Sequence, residues 1–479
     1  MHLMTDVTGT GRLQGNTVGL AHIVFFVVAA AAPMTAVVGA TPPAFAFGNG
    51  AGVPGAFVLA GLLYLVFSVG YTAMTPYVTG AGGFFSYISK GLGGAAGIGG
   101  ALMALMAYFA IQIGIYALFA VFMQATLAPL GIVGPWWAFA LVALAVIVLL
   151  GRRNIAISGR ILGACMIAEL LILLVLDIAI VRQGGGPEGL SLSGFRPSEV
   201  FGPGLGVSMV FVLGAYIGFE ATAIFAEEAQ RPERTIPRAT YLAVFLISVF
   251  YAFSTWAISH YYGPSSVRVA AESALEGFYF NAAADLLGPW SVQVMNVLLL
   301  TSLFACLLSF HNTLNRYFYT LACESLVWRK MAHVHPEHGS PHVAGLVQAG
   351  LVALILGAFS FGSADPYTVV FSWMAGLAVL AILGTQILVS VSVIRFFQRD
   401  RLGRSALVVL VAPALATLGL LGAFALVGAN ITLLTGSQSA IVLAFPILVI
   451  ATGALGAVVA LTIKAFRPTL YAGLGRGLD

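Results

Sequence analysis

The sequence predicts an all-α membrane protein with twelve transmembrane helices. Three observations predict it. Of 479 residues, 60% are hydrophobic and only 8% charged, whereas a soluble chain of ordinary usage carries about 25% charged residues. The apolar residues gather in runs long enough to cross a hydrocarbon core about 30 Å thick. The basic residues sort to one side of those runs.

The twelve runs are 19–47, 55–78, 95–126, 135–151, 156–182, 202–229, 238–262, 288–322, 344–362, 366–395, 405–428 and 439–463. Transmembrane strands are excluded, because a barrel strand needs about 10 residues of alternating polarity and these runs are apolar on every face. With both termini in the cytoplasm, the inner side holds 18 of the 21 Lys and Arg residues, from Arg12 and Lys90 to Arg467 and Arg476. The outer side keeps Arg182, Arg196 and Arg268. One span more or fewer would scramble that asymmetry. The 1–18 segment and the 464–479 tail are therefore expected to be cytoplasmic, with the chain multi-pass in a bacterial cytoplasmic (inner) membrane.

Smaller tallies exclude other classes. The net charge of +4 gives no nucleic-acid footprint, which needs clustered Lys and Arg on a solvated face. Cys165, Cys306 and Cys323 make no CxxC pair and imply neither a disulfide framework nor a zinc site. Residues 1–18 carry no basic segment leading into a short apolar core, so no removable signal peptide is expected. No nucleophile–base pair, metal cluster or phosphate loop falls in a segment long enough to hold one. An enzyme is excluded on that ground, and no cofactor is implied.

The first run contains Ala32-Pro33-Met34-Thr35-Ala36-Val37-Val38-Gly39-Ala40-Thr41-Pro42-Pro43. Proline removes a backbone donor and clashes one turn back, so this helix should break midway. The second run leads into Thr79-Gly80-Ala81-Gly82-Gly83-Phe84-Phe85-Ser86-Tyr87. On the third, Tyr108, Gln112 and Tyr116 stand four apart and share a face. Arg152, Arg153 and Arg160 separate the fourth and fifth runs. The fifth buries Glu169, a carboxyl that costs several kcal/mol when charged at this depth and so takes up a proton or finds a partner. Asp177, eight residues on, lies about 80° away round the helix and is expected at the outer interface.

The sixth run reads Phe211-Val212-Leu213-Gly214-Ala215-Tyr216-Ile217-Gly218-Phe219-Glu220. Two glycines four apart and an intramembrane Glu mark a second weak point. Runs one and six lie five apart, and matched interruptions in two halves point to inverted repeats around a binding site. Opened backbone offers N–H groups to an anion at one half-helix and carbonyls to a cation at the other. A zwitterion with its two charges one carbon apart fits that pair.

On the eighth run Ser302, Cys306, Ser309, Thr313, Arg316 and Thr320 form a polar face at helical spacing. It leads into Ser309-Phe310-His311-Asn312-Thr313-Leu314-Asn315-Arg316-Tyr317, followed by the loop His335-Pro336-Glu337-His338-Gly339-Ser340-Pro341. The His333, His335, His338 and His342 tract has no Cys or acidic cluster beside it, so no metal site is expected. The ninth to twelfth runs carry no charge until Arg395–Arg404, a topology signal.

These stretches resemble the amino acid–polyamine–organocation (APC) transporter superfamily over essentially the whole chain. The likeness is carried by the glycine-rich segment after the second run and by Gly218-Phe219-Glu220 with Glu227, Glu228 and Arg231-Pro232-Glu233-Arg234-Thr235-Ile236-Pro237-Arg238. The end of the eighth run and the loop after it also carry it. The resemblance implies a LeuT-like five-plus-five inverted repeat with two extra helices. Residues 19–182 would form the first repeat, 202–395 the second and 405–463 the added pair. It implies a secondary active transporter importing amino acids or related amines by alternating access.

Four places depart from the family pattern. The span-one signature has a single glycine, Val37-Val38-Gly39. Gly214 stands where many relatives carry an aromatic. Ala322-Cys323-Glu324 replaces a Gly-Arg-acid pattern. Glu169 also occupies a position that is Lys in many relatives.

The expected partners are thus a small-molecule substrate, a proton (sodium in the alternative reading) and the lipid bilayer. The substrate carboxylate is expected at Val38, Gly39 and Ala40, and the amino group at Thr35, Gly214 and Ile217. Ala36, Gln112, Tyr216, Gly218 and Phe219 would shape the pocket. Glu169 and Ser302 are the coupling candidates, and Glu220 the structural tie for broken backbone. An exchanger on the same fold and, in another class, a membrane sensor or channel are the competing readings.

Overall fold

Backbone N–H and C=O groups at bilayer depth have no water to bond, so apolar chain this long must satisfy them internally as helix. The computed structural model describes residues 19–78, 83–153, 159–220, 222, 229–324, 326–435, 440–468 and 471. Residues 1–18 with Arg12, the 79–82 part of the glycine-rich stretch, Glu227, Glu228 and the tail from 472 with Arg476 lie outside the described residues. Among the described residues the regular structure is helical and no strand occurs.

The principal helices are α1 (Leu20–Ala30), α2 (Pro42–Phe47), α3 (Val53–Met74), α4 (Phe84–Leu92), α5 (Gly94–Leu127), α6 (Trp136–Arg152), α7 (Gly159–Arg182) and α8 (Leu205–Gly214). They continue with α9 (Pro232–Tyr262), α10 (Val267–Ser273), α11 (Phe278–Leu287), α12 (Pro289–Cys323), α13 (His342–Phe361), α14 (Ser372–Arg399), α15 (Ala412–Ala429) and α16 (Phe445–Phe466). Nine helical stretches among the described residues are long and apolar enough to cross a bilayer. They fall in runs two, three, five and seven to twelve. The other three runs hold shorter apolar helices, Thr35–Phe47, Trp136–Arg152 and Leu205–Gly214. Two of those three are the runs in which the sequence predicts a break.

The core gathers around α5. In its most apolar window 89% of residues are buried, against 17% for α16. α5 packs along α14, α16, α4 and α12, while α3 lies against α9. Small residues permit the closest approach: a Cβ added at Gly456 would stand 2.7 Å from the Gly99 Cα. Packing of this kind is what holds helices together where lipid removes the hydrophobic drive between them. At the Arg-rich end the predicted His335–Pro341 loop docks on α6, with Ser340 Oγ donating to the Arg152 carbonyl at 2.6 Å.

Candidate functional site

The first run is interrupted where proline predicts it. α1 stops at Ala30, Ala32 takes a left-handed φ of +46°, and the chain resumes as a wide π-type turn over Thr35–Gly39 before α2. Turns of this kind are rare and concentrate at functional sites. The break therefore lies at 31–32, nearly two turns earlier than the 38–40 stretch expected to bind a carboxylate. Val38 and Gly39 are wound into the wide turn, and the Tyr367 hydroxyl donates to the Gly39 carbonyl at 2.8 Å.

The groups freed by this break find distant partners. Tyr251 Oη donates to the Ala31 carbonyl at 3.1 Å. The Met34 N–H donates to Glu169 Oε2 at 3.2 Å. Ser302 Oγ donates to the same oxygen at 2.9 Å, and Thr35 Oγ1 donates to Ser302 Oγ at 3.1 Å. Glu169 and Ser302, on α7 and α12, thus meet at the interrupted backbone of the first run. Both are buried, at 4% and 3% exposure.

The second interruption is built differently. α8 ends at Gly214, and Ala215–Phe219 descend through single turns, with Ile217 N donating to Gly214 O at 3.1 Å and Phe219 N to Tyr216 O at 3.1 Å. Gly218 sits at φ +115°, a conformation that essentially requires glycine. Its N–H donates to Glu220 Oε2 at 2.9 Å. Tyr108 Oη donates to Glu220 Oε1 at 2.8 Å, and Tyr71 Oη to the Glu220 carbonyl at 3.1 Å. All these partners of Glu220 are donors of the protein itself.

Between the two interruptions lies a cavity of about 50 Å³, room for a few waters. Thr35, Ala36, Ala40, Gly214 and Ile217 line it. A Cβ at Gly214 would touch only Val379 Cγ2, at 3.6 Å, so the missing side chain is part of the space. Phe211, Phe310 and Phe371 complete the wall. Of these, Phe211 precedes Gly214 by three residues, the same helix face. Phe371 immediately precedes α14 and carries no signal in the sequence.

Four expected residues stand elsewhere. Tyr216 is fully buried and turns to α3 and α9, its hydroxyl donating to Phe57 O at 3.1 Å and Ser248 Oγ at 2.8 Å. Phe219 packs on Tyr64, with ring centroids 4.9 Å apart. Gln112 accepts from Gln348 Nε2 of α13. The cause for Tyr216 and Phe219 is the run of turns after Gly214, which replaces helical periodicity. Asp177, expected at the interface, is instead 1% exposed and accepts from Ser254 Oγ at 2.5 Å, because α9 covers that face of α7.

The polar face of α12 changes along its length. Ser302 and Cys306 are buried, whereas Ser309 and Arg316 toward the Arg-rich end are exposed. Among the described residues no group of three or more His, Cys, Asp or Glu converges as metal ligands would.

Comparison with known proteins agrees with this architecture. The family model described as amino acid permease matches residues 22–466. Human cationic amino acid transporter 4 is 27% identical over 198 residues, 40% of this chain and 28% of that protein. The serine/threonine exchanger SteT of Bacillus subtilis is 25% identical over 153 residues, 32% of this chain and 34% of its own. The branched-chain amino acid permease BcaP of Lactococcus lactis is 24% identical over 337 residues, 65% of this chain and 69% of its own. The chain thus spans about a third or less of the first two relatives.

Proposed function

The chain belongs to the amino acid permease family, and from that premise we propose that it is a secondary active transporter importing amino acids or closely related amines by proton symport. The proposed frame is twelve spans in a five-plus-five inverted repeat with two added helices, both termini cytoplasmic, in a bacterial inner membrane. The observation that carries the reading is the shared cavity: two interrupted helices face it, and a buried carboxyl from a third helix caps one of them.

Substrate would bind between Thr35, Ala36 and Ala40 on one side and Gly214 and Ile217 on the other. No charged side chain lines this cavity, which favours a neutral or apolar side chain on the substrate. An uncharged wall gives no compensation for burying a second charge. The cavity of about 50 Å³ is smaller than an amino acid, so admission requires its walls to part.

Coupling follows from the Glu169 contacts. Neutralising Glu169 weakens its bonds to Met34 N–H and Ser302, since bonds to a charged acceptor are about twice as strong. Proton binding at Glu169 thereby loosens the tie between α7, α12 and the first interruption. A ligand shifts such an equilibrium only through its differential affinity for the two states, and here the proton has one. The exposed continuation of the α12 polar face, Ser309 and Arg316, supports a wet route toward the Arg-rich, cytoplasmic end.

The test is uptake into proteoliposomes holding the purified protein, with an imposed proton gradient and a panel of labelled amino acids. Accumulation against the substrate gradient, undiminished when choline replaces sodium, is the expected result. Sodium-dependent uptake would replace the proton, and counterflow without net accumulation would make the protein an exchanger. Flux that only runs downhill would overturn the transporter reading in favour of a channel.

A further inference from the structure

We infer that Asp177 is a second proton-binding carboxyl of this transporter, set on the half of α7 that points away from the Arg-rich end. The inference rests on the proton-coupled reading of Glu169 and extends it to the route by which the proton arrives.

Asp177 and Glu169 share α7 and stand eight residues apart, about 12 Å along the axis. They meet different neighbours. Glu169 reaches the first interruption. Asp177 reaches α9, where among the described residues its one hydrogen-bond partner is Ser254 Oγ. A carboxylate without a cation at such depth costs several kcal/mol when ionised. A lone hydroxyl returns only part of that cost.

α9 touches both regions of α7. Tyr251 lies three residues before Ser254 and so shares its face. α9 thus meets Asp177 through Ser254 and the first interruption through the Tyr251 hydroxyl, which donates to Ala31 O. Asp177, Ser254, Tyr251 and Glu169 are all buried. Buried acids in membrane proteins are the usual material of proton routes.

The elements packed on α7 are α9, α12, α11 and α1. Their titratable groups on this half are Tyr251, His260, Tyr261 and Tyr262 of α9, Tyr279 and Asp285 of α11, and Cys306 of α12. His260 is held by the Trp256 carbonyl at 2.9 Å and Ser191 Oγ at 3.1 Å. Asp285 accepts from Tyr261 at 3.0 Å, and Tyr279 is paired with Thr41 at 3.0 Å. Arg182, on α7 itself, is exposed at the helix end. None of these residues is a hydrogen-bond partner of Asp177. The step needs nothing further: an O–H bond forms on the Asp177 carboxylate as one breaks in hydronium of the outer water.

The experiment compares outer-pH profiles of uptake in proteoliposomes for the unaltered protein, Asp177→Asn, Asp177→Glu and Glu169→Gln. Asn keeps the size and the acceptor for Ser254 but does not titrate. The expected result is an acid-to-neutral uptake ratio that falls to unity in Asp177→Asn and recovers in Asp177→Glu, with substrate-induced thermal shift kept in both. An unchanged profile in Asp177→Asn, with Glu169→Gln flattened, overturns this inference and leaves the coupling reading intact. An unchanged profile in Glu169→Gln overturns the coupling reading itself. Should Asp177→Asn fail to fold, pH-difference infrared spectra of protein labelled with carbon-13 aspartate decide. A titrating high-frequency carboxyl band supports the inference, and its absence overturns it.

Discussion

The two helix interruptions each carry a glutamate, yet the glutamates are held in opposite ways. Glu220 belongs to the segment it stabilises. It takes the Gly218 N–H two residues away, and tyrosines from α3 and α5 hold it in place. Glu169 comes from 135 residues downstream of the backbone it caps, and its second partner, Ser302, comes from a third helix. Glu220 takes one of its two carboxylate bonds from its own turn and the other from Tyr108 of α5, so it fixes a local shape against one neighbouring helix. A carboxylate that joins three separate elements must break its bonds if those elements part. On this comparison the second interruption is expected to act as the fixed wall and the first as the movable joint.

Replacing each glutamate by glutamine is the sharpest way to break that comparison. Glu169→Gln turns a charged acceptor shared by two donors into a neutral one, a loss of about 1 kcal/mol per bond. The expected outcome is a fall of at least about tenfold in proton-driven uptake, with pH dependence lost. Glu220→Gln keeps the shape and one of the two acceptors, so the bond from either Tyr108 or Gly218 is lost. It is expected to lower the melting temperature while pH dependence stays. Equal loss of pH dependence in both variants would erase the distinction.

Next in size is Gly218→Ala. A side chain at φ +115° costs about 1–3 kcal/mol, and the whole descent from Gly214 to Glu220 depends on that residue. Thermal unfolding should show a clear loss of stability, larger than for an alanine at Gly214. At Gly214 the added Cβ meets nothing nearer than 3.6 Å. Gly214→Leu should instead fill the cavity, keep the fold, and weaken substrate-induced thermal shift by roughly 10–200-fold in affinity for the bulkiest substrates. A Gly214→Leu protein that binds as well as the original would remove this cavity from the function.

Much of this was legible in the residues. Pro33 announced the first interruption, because a missing N–H and a ring clash act locally. Gly214 and Gly218 announced the second for the same local reason. Glu169 was legible because an acid in an apolar run is costly wherever it sits. What a residue faces is not local. Gln112 shares a helical face with Tyr108, yet Tyr108 meets Glu220 and Gln112 meets Gln348, since one face of α5 spans contacts with different helices. Asp177 was assigned to the interface by its angle from Glu169, but that angle says nothing about α9 covering the second face. Tyr216 and Phe219 left the cavity because irregular turns do not keep a period of 3.6. The open stretch expected at Val38–Ala40 was misplaced because the wide turn rewinds residues that Gly39 marks as open.

The smallest predicted effects refine the comparison at the level of single hydroxyls. At each interruption a tyrosine from a neighbouring helix bonds a carbonyl: Ala31 O by Tyr251 and the Glu220 carbonyl by Tyr71. Removing either hydroxyl costs about 0.5–1.5 kcal/mol, so Tyr251→Phe and Tyr71→Phe should lower the melting temperature by similar amounts. Their transport readouts should differ. If the first interruption is the joint, Tyr251→Phe loosens one of its states more than the other and shifts the outer pH at half-maximal uptake. Tyr71→Phe weakens a wall that is the same in both states, because a bond present in each cancels from the equilibrium between them. Measuring melting temperature and pH midpoint on both variants therefore separates a support from a hinge even where the energies are equal.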